Sequence, residues 1–180
     1  MRKTDIIGKR LFFDADAIAH FCKGGGLGYL KFLFRGQLYI VNEVEEELAG
    51  NRQDPHYTEV IQSIQSSVFT RFELPQDPTI QNEYARLRHL RTAGEAACLT
   101  IGRFIKEAVI VTNLPCLLRY CQKWRIQVSD TVGVLKFAYQ EGVLLEADVI
   151  DFVRKVRKNG GMITAYSLQQ LPFTELSMPF

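Results

Sequence analysis

The sequence predicts an α/β fold, a mostly parallel central sheet of five strands with helices on both faces. Three observations carry that reading. Short apolar runs of strand length recur along the chain, clearest in Leu11-Phe12-Phe13 and Ala108-Val109-Ile110-Val111-Thr112. Each is followed by a segment with helical spacing, and strands alternating with helices build parallel sheets covered on both faces. Acids or amides stand just after the runs, at the edge where open α/β sheets place their ligands.

The elements follow in order. Leu11 to Phe13 is the first strand, and Ala17 to Lys23 a short helix stopped by Gly24-Gly25-Gly26. That glycine run is no phosphate loop, because no Lys-Ser or Lys-Thr pair follows Gly28, and it reads as a flexible link. Tyr29 to Phe34 is helical and Gln37 to Val41 makes a second strand. Asn42 with Glu45 three residues later is a capping-box pattern opening a helix that Gly50 ends. Val60, Ile61, Ile64 and Val68 suggest a helix running into a third strand near 68–72, before Pro75 and Pro78. Tyr84, Leu87 and Leu90 mark the next helix, with Arg86, Arg88 and Arg91 on its other side. A helix over 95–106 turns Cys98, Leu99 and Ile101 inward. The strand at 108–112 leads through Pro115 into a helix ending at Trp124. Ile126 to Val128 gives the fifth strand and Thr131 to Glu141 another helix. In Asp148 to Lys158, Val149, Phe152, Val153 and Val156 form one apolar stripe opposite Arg154, Lys155, Arg157 and Lys158. A basic last turn suits the helix dipole. Trp124 and Phe137 are expected in the core.

At 180 residues and about half apolar, the chain has core enough for one domain over 1–180, with a C-terminal helical extension from about residue 131. With 22 basic and 20 acidic residues the net charge is only +2, so affinity for nucleic acid must rest on local clusters. No signal-peptide pattern opens the sequence and no run reaches membrane-spanning length, which predicts a cytoplasmic protein with no membrane partner. Cys22, Cys98, Cys116 and Cys121 lack metal-ligand spacing and are expected reduced.

The chemistry concentrates in acids. Asp14 and Asp16 end the first strand. They fit either a cap on the next helix or a pair of ligands for a hard cation. Glu43 to Glu47 follow the second strand, Glu95 opens a helix, Asn113 follows the fourth strand and Asp130 the fifth. Each alone is an ordinary helix-start carboxylate, and their joint placement is the stronger signal. His20, His56 and His89 have no partner at metal-ligand spacing.

The series Leu11 to Ile18, then Ile40 to Leu48, then Gly94 to Leu99, then Val109 to Asn113, with the tail Asp130 to Ala138 and Asn159-Gly160-Gly161, resembles a PIN domain, specifically a bacterial subfamily related to toxin–antitoxin nucleases. The resemblance covers most of the chain and rests on the order and spacing of its motifs. It implies a PIN-like α/β/α sandwich and a ribonuclease dependent on Mg²⁺ or Mn²⁺, with RNA as substrate, an antitoxin protein as restraint and a homodimer as assembly. By carry-over Asp14, Glu47 and Glu95 are the catalytic acids, and the same three with Asp16 hold metal. Thr112, Asn113 and Asp130 support them. Arg86, Arg91, Arg119 and Lys123, with Arg88, offer a footprint for RNA. The sequence departs from the family pattern at Ala97, where a second acid often stands two residues beyond Glu95, and at Asn113-Leu114, where an Asp is common. Asp130 would make up the loss if the fifth strand brings it to the same edge. A weakened acid set also fits a module that binds RNA or protein without turnover. Asp14-Ala15-Asp16 and Thr112 are similar as well to motifs of haloacid-dehalogenase-type phosphatases, with Asp14 as nucleophile, Asp16 as general acid and Thr112 on the phosphate. That pattern needs a later lysine and a further acid pair, whereas Lys123 comes too soon and Asp130 stands alone.

Overall fold

A computed structural model describes residues 8–50, 57–66 and 68–172. The chain runs β1 (Arg10–Phe13), α1 (Ala15–Lys23), α2 (Leu27–Leu33), β2 (Leu38–Val41), α3 (Asn42–Gly50), α4 (Tyr57–Gln65), β3 (Thr70–Phe72), α5 (Pro78–Arg88), α6 (Ala93–Phe104), β4 (Ala108–Val111), α7 (Pro115–Trp124), β5 (Gln127–Ser129), α8 (Thr131–Gln140), α9 (Glu146–Lys158) and α10 (Ala165–Leu168). His56 lies outside the described residues.

The five strands form one sheet in the order β3-β2-β1-β4-β5, and every pair is parallel. Leu11 aligns with Leu38 on one side and Val109 on the other, so β1 is central. Right-handed crossovers then fix the helices. The chain moves one way from β1 through β2 to β3 and the other way to β4 and β5, which puts the two sets of connections on opposite faces. Accordingly α1 packs on α8 and α9, and α6 on α5 and α7, while α3 touches both α1 and α6. This is the expected PIN-like α/β/α sandwich, with a sheet parallel throughout. No helix among the described residues is long and apolar enough to cross a membrane.

Successive side chains of β1 enter opposite layers, as pleating requires. Phe12 packs on Tyr39 and Phe72, whereas Phe13 packs on Phe21 and Phe69. Phe69 is buried just before β3 rather than inside it, because the strand begins at Thr70. The stripe of α9 is buried as its spacing predicts, and Phe137 is buried against Phe34.

Four expectations need correction. Gly24-Gly25-Gly26 is a packed turn and no mere flexible link. A Cβ on Gly24 would stand 2.3 Å from the Phe152 ring, and Gly25 takes φ +68°. Glu45 accepts a bidentate pair from Arg71 of β3 at 2.7 Å rather than closing a capping box on Asn42. Leu90 is exposed, since α5 ends at Arg88 before its apolar spacing reaches that residue. Trp124 is 42 % exposed because it is the last residue of α7, beyond the layer its helix covers. The four cysteines are free thiols; Cys22, Cys98 and Cys121 are buried and Cys116 is half-buried.

Candidate active site at the carboxyl edge of the sheet

The order in which strands are added reverses between β1 and β4, and the crevice beyond their carboxyl ends is where such sheets bind ligands. Asp14 fills it. Its backbone N–H donates to Val111 O at 3.0 Å, which fastens the end of β1 to β4. Its carboxylate is the N-cap of α1, with Oδ1 accepting from Ala17 N at 2.8 Å, while the Thr112 hydroxyl donates to Oδ2. The capping reading is therefore realised at Asp14, in a residue only 2 % exposed. Burial pushes its carboxyl up to about 7, against the two hydrogen bonds and with help from the charges of Asp16 and Glu95.

Asn113 acts as a bracket beside it. Its Nδ2 donates to Asp16 Oδ2 at 3.0 Å and lies 3.2 Å from His20 Nδ1, and its Oδ1 accepts from Thr131 N at 2.9 Å. One amide thus joins the end of β4 to α1 and to the start of α8. His20 Nε2 stands 3.8 Å from Asp16 Oδ1. Burial holds the imidazole below its ordinary range despite the pull of Asp16, and Lys23 lowers it further.

The acids of α3 arrive from the other side. Glu47 Oε1 accepts from Gly94 N at 2.9 Å at the opening of α6, and Glu95 follows directly, its own N–H held by Thr92 Oγ1. Cys98 lies one turn further along α6 and is fully buried. Its thiol is held well above the ordinary range by burial first, then by the charges of Asp14, Glu47 and Glu43. Two buried side-chain oxygens among the described residues have no hydrogen-bond partner, Glu43 Oε2 and Thr131 Oγ1. Glu43 follows β2 and Thr131 follows β5, so both belong to this edge. Burial also raises the Glu43 carboxyl, with Glu46 adding to it.

Comparison with known protein families, curated proteins and solved structures finds no match. The site therefore stands on its own chemistry.

That chemistry is a set of hard oxygen donors, and the unpartnered Glu43 oxygen is free to accept from a water or to meet a cation. Among the described residues no three His, Cys, Asp or Glu side chains stand close enough together to form a ready cage. Both oxygens of Asp14 already accept hydrogen bonds. Asp130 is engaged elsewhere, since its Oδ1 caps α8 through Gly133 N at 2.7 Å, and the residue lines a cavity of about 500 Å³ along β5 with Gln122, Gln127 and Ser129. Ala97 is buried and contributes no donor. Of the expected RNA footprint, Arg86 is taken by Glu83 in a bidentate pair at 2.8 Å, and Arg91 gives its carbonyl to Arg88. Arg119 and Lys123 are exposed on α7.

Sequence reasoning placed Glu43 after the second strand without assigning it a role and gave His20 none. Glu43 stands four residues before Glu47 and His20 four after Asp16, so each shares a helix face with an acid already singled out. That spacing was the available signal.

Proposed function

We propose that the protein is a divalent-metal-dependent ribonuclease whose reaction takes place at this acidic edge. The observation that supports the reading is the buried Asp14 carboxylate at the switch point between β1 and β4, with Asp16 held beside it by Asn113 and an unpartnered Glu43 oxygen along the same edge of the sheet. Asp14, Glu47 and Glu95 would hold Mg²⁺ or Mn²⁺, with Asp16 and Glu43 beside them. Bound there, such an ion supplies a water of lowered pKa and offsets charge on the phosphodiester. Asp14 would hold the ion as a carboxylate, its direction fixed by Thr112 and the Ala17 N–H. The Asn113 amide holds Asp16 toward the crevice, and the Gly94 N–H holds Glu47. Ionised carboxylates here repel a polyanion until a cation is present, so metal and RNA are expected to bind together.

A second reading has its own support. Asp14 is satisfied without metal by Thr112 and Ala17, which suits a PIN-like module that binds RNA without cutting it. A fluorogenic single-stranded RNA and a phosphate monoester, each titrated with Mg²⁺ and Mn²⁺, separate the alternatives. Metal-dependent RNA cleavage that disappears in Glu47→Gln supports the nuclease. RNA retention without product supports the module. Monoester turnover in place of RNA cleavage would overturn both in favour of a phosphatase.

A further inference from the structure

Toward the opposite end of the sheet, α7 presents basic side chains and no acid. Helices that connect parallel strands run back against them, so α6 and α7 bring their carboxyl-terminal turns to the amino edge, away from the acids. Two aromatic rings stay in solvent there: Trp124 is 42 % and Phe104 36 % exposed. The Arg103 guanidinium lies 3.9 Å from the centre of the Trp124 ring, and Tyr120 packs at 6.2 Å on the same indole. Arg103 is itself pinned, donating to Glu83 Oε1 at 2.6 Å; Glu83 is buried and also takes Arg86 and Tyr120. The indole is therefore backed by a guanidinium tied to the buried Glu83.

The surroundings are cationic. Arg119 and Lys123 are exposed on α7, which carries no acid, and Lys123 Nζ lies 6.0 Å from the Trp124 ring. Arg125 caps the same helix in the left-handed region at φ 54°. Neither Arg119 nor Lys123 makes an ion pair among the described residues. Two acids near this surface are paired, Glu83 with Arg86 and Arg103, and Glu107 with Lys9.

We propose that Trp124, backed by Arg103 and flanked by Arg119 and Lys123, is a stacking platform for single-stranded polynucleotide, separate from the acidic edge. The exposed indole takes a base, and the α7 cations take the flanking phosphates. Rings fixed in advance on cationic ground lose little freedom on binding, and stacking tolerates any base, so the platform reads strandedness rather than sequence. It needs no divalent cation and does not depend on cleavage.

Trp124 is the only tryptophan of the chain, so its fluorescence reports this surface alone. The full chain, in chelator, is titrated with a short oligouridylate, with the same strand in a duplex and with inorganic polyphosphate. Saturable quenching by the single strand is expected, with little from the other two. By anisotropy of a labelled single strand, Trp124→Ala is expected to bind about tenfold more weakly. Lys123→Glu, with the ring intact, is expected to weaken binding and reduce its dependence on salt. Thermal unfolding of both variants checks that they fold. Equal quenching by polyphosphate, undiminished binding by folded Trp124→Ala, or no quenching by the single strand would overturn the proposal; the last would leave the patch to a protein partner.

Discussion

Replacing Asp14 by asparagine tests the electrostatics of the site through stability alone. In the native protein the carboxyl titrates at about 7, against an ordinary 3.8, because burial strips it of water. The native state therefore holds this proton more tightly than the unfolded chain. The resulting stabilisation is complete below about pH 3.8 and is lost as pH rises to about 7; well above that, the ionised group costs about 4 kcal/mol. Asparagine has no charge to bury. It cannot, however, accept from both Thr112 and Ala17 N, since its amide nitrogen only donates, and losing one acceptor costs about 1–3 kcal/mol. The two effects oppose each other with pH. In chelator, Asp14→Asn is expected to melt roughly 3–10 °C above the parent at pH 8 and below it near pH 4.5. Differential scanning fluorimetry across that range reads the crossover. A difference that stays constant with pH, or a parent that gains on the variant as pH rises, would refute the burial argument. Adding Mn²⁺ at pH 8 should then raise the melting temperature of the parent only. An equal rise in both proteins would place the cation away from Asp14.

Two other substitutions probe the positioning of side chains. A Cβ at residue 94 would stand 2.7 Å from Glu47 Oε2 and 2.8 Å from Val44 Cγ2. Gly94→Ala is therefore expected to lose about 1–3 kcal/mol in urea unfolding and to cleave RNA roughly tenfold more slowly at saturating Mn²⁺; an unchanged rate would mean that the placing of Glu47 is immaterial. The Glu83 carboxyl is held at about 2, chiefly by Arg86 and, against the effect of burial, also by Tyr120 and Arg103. The stability it brings is present above about 4.5 and fades as pH falls toward 2. Glu83→Gln should be about 1–2 kcal/mol less stable than the parent at pH 7, with the gap narrowing below pH 4 in urea unfolding. A gap that persists in acid would assign the effect to packing.

Local residue pattern was enough to say which segments are buried and where acids stand relative to them. Leu11 to Phe13 and Ala108 to Val111 read as interior strands from their apolar composition and short length, and an acid just after such a strand stands at its carboxyl end. That pattern could not tell that Thr112 meets Asp14 across 98 positions, or that Asn113 is a bracket between α1 and α8. Those contacts follow from strand order, which brings β4 beside β1 only after the crossovers have been made. The exposure of Trp124 and the close seat of Phe152 on Gly24 were hidden for the same reason. An apolar ring has identical local spacing whether a neighbouring layer covers it or ends just short of it, and the extent of each layer is settled only when distant helices pack.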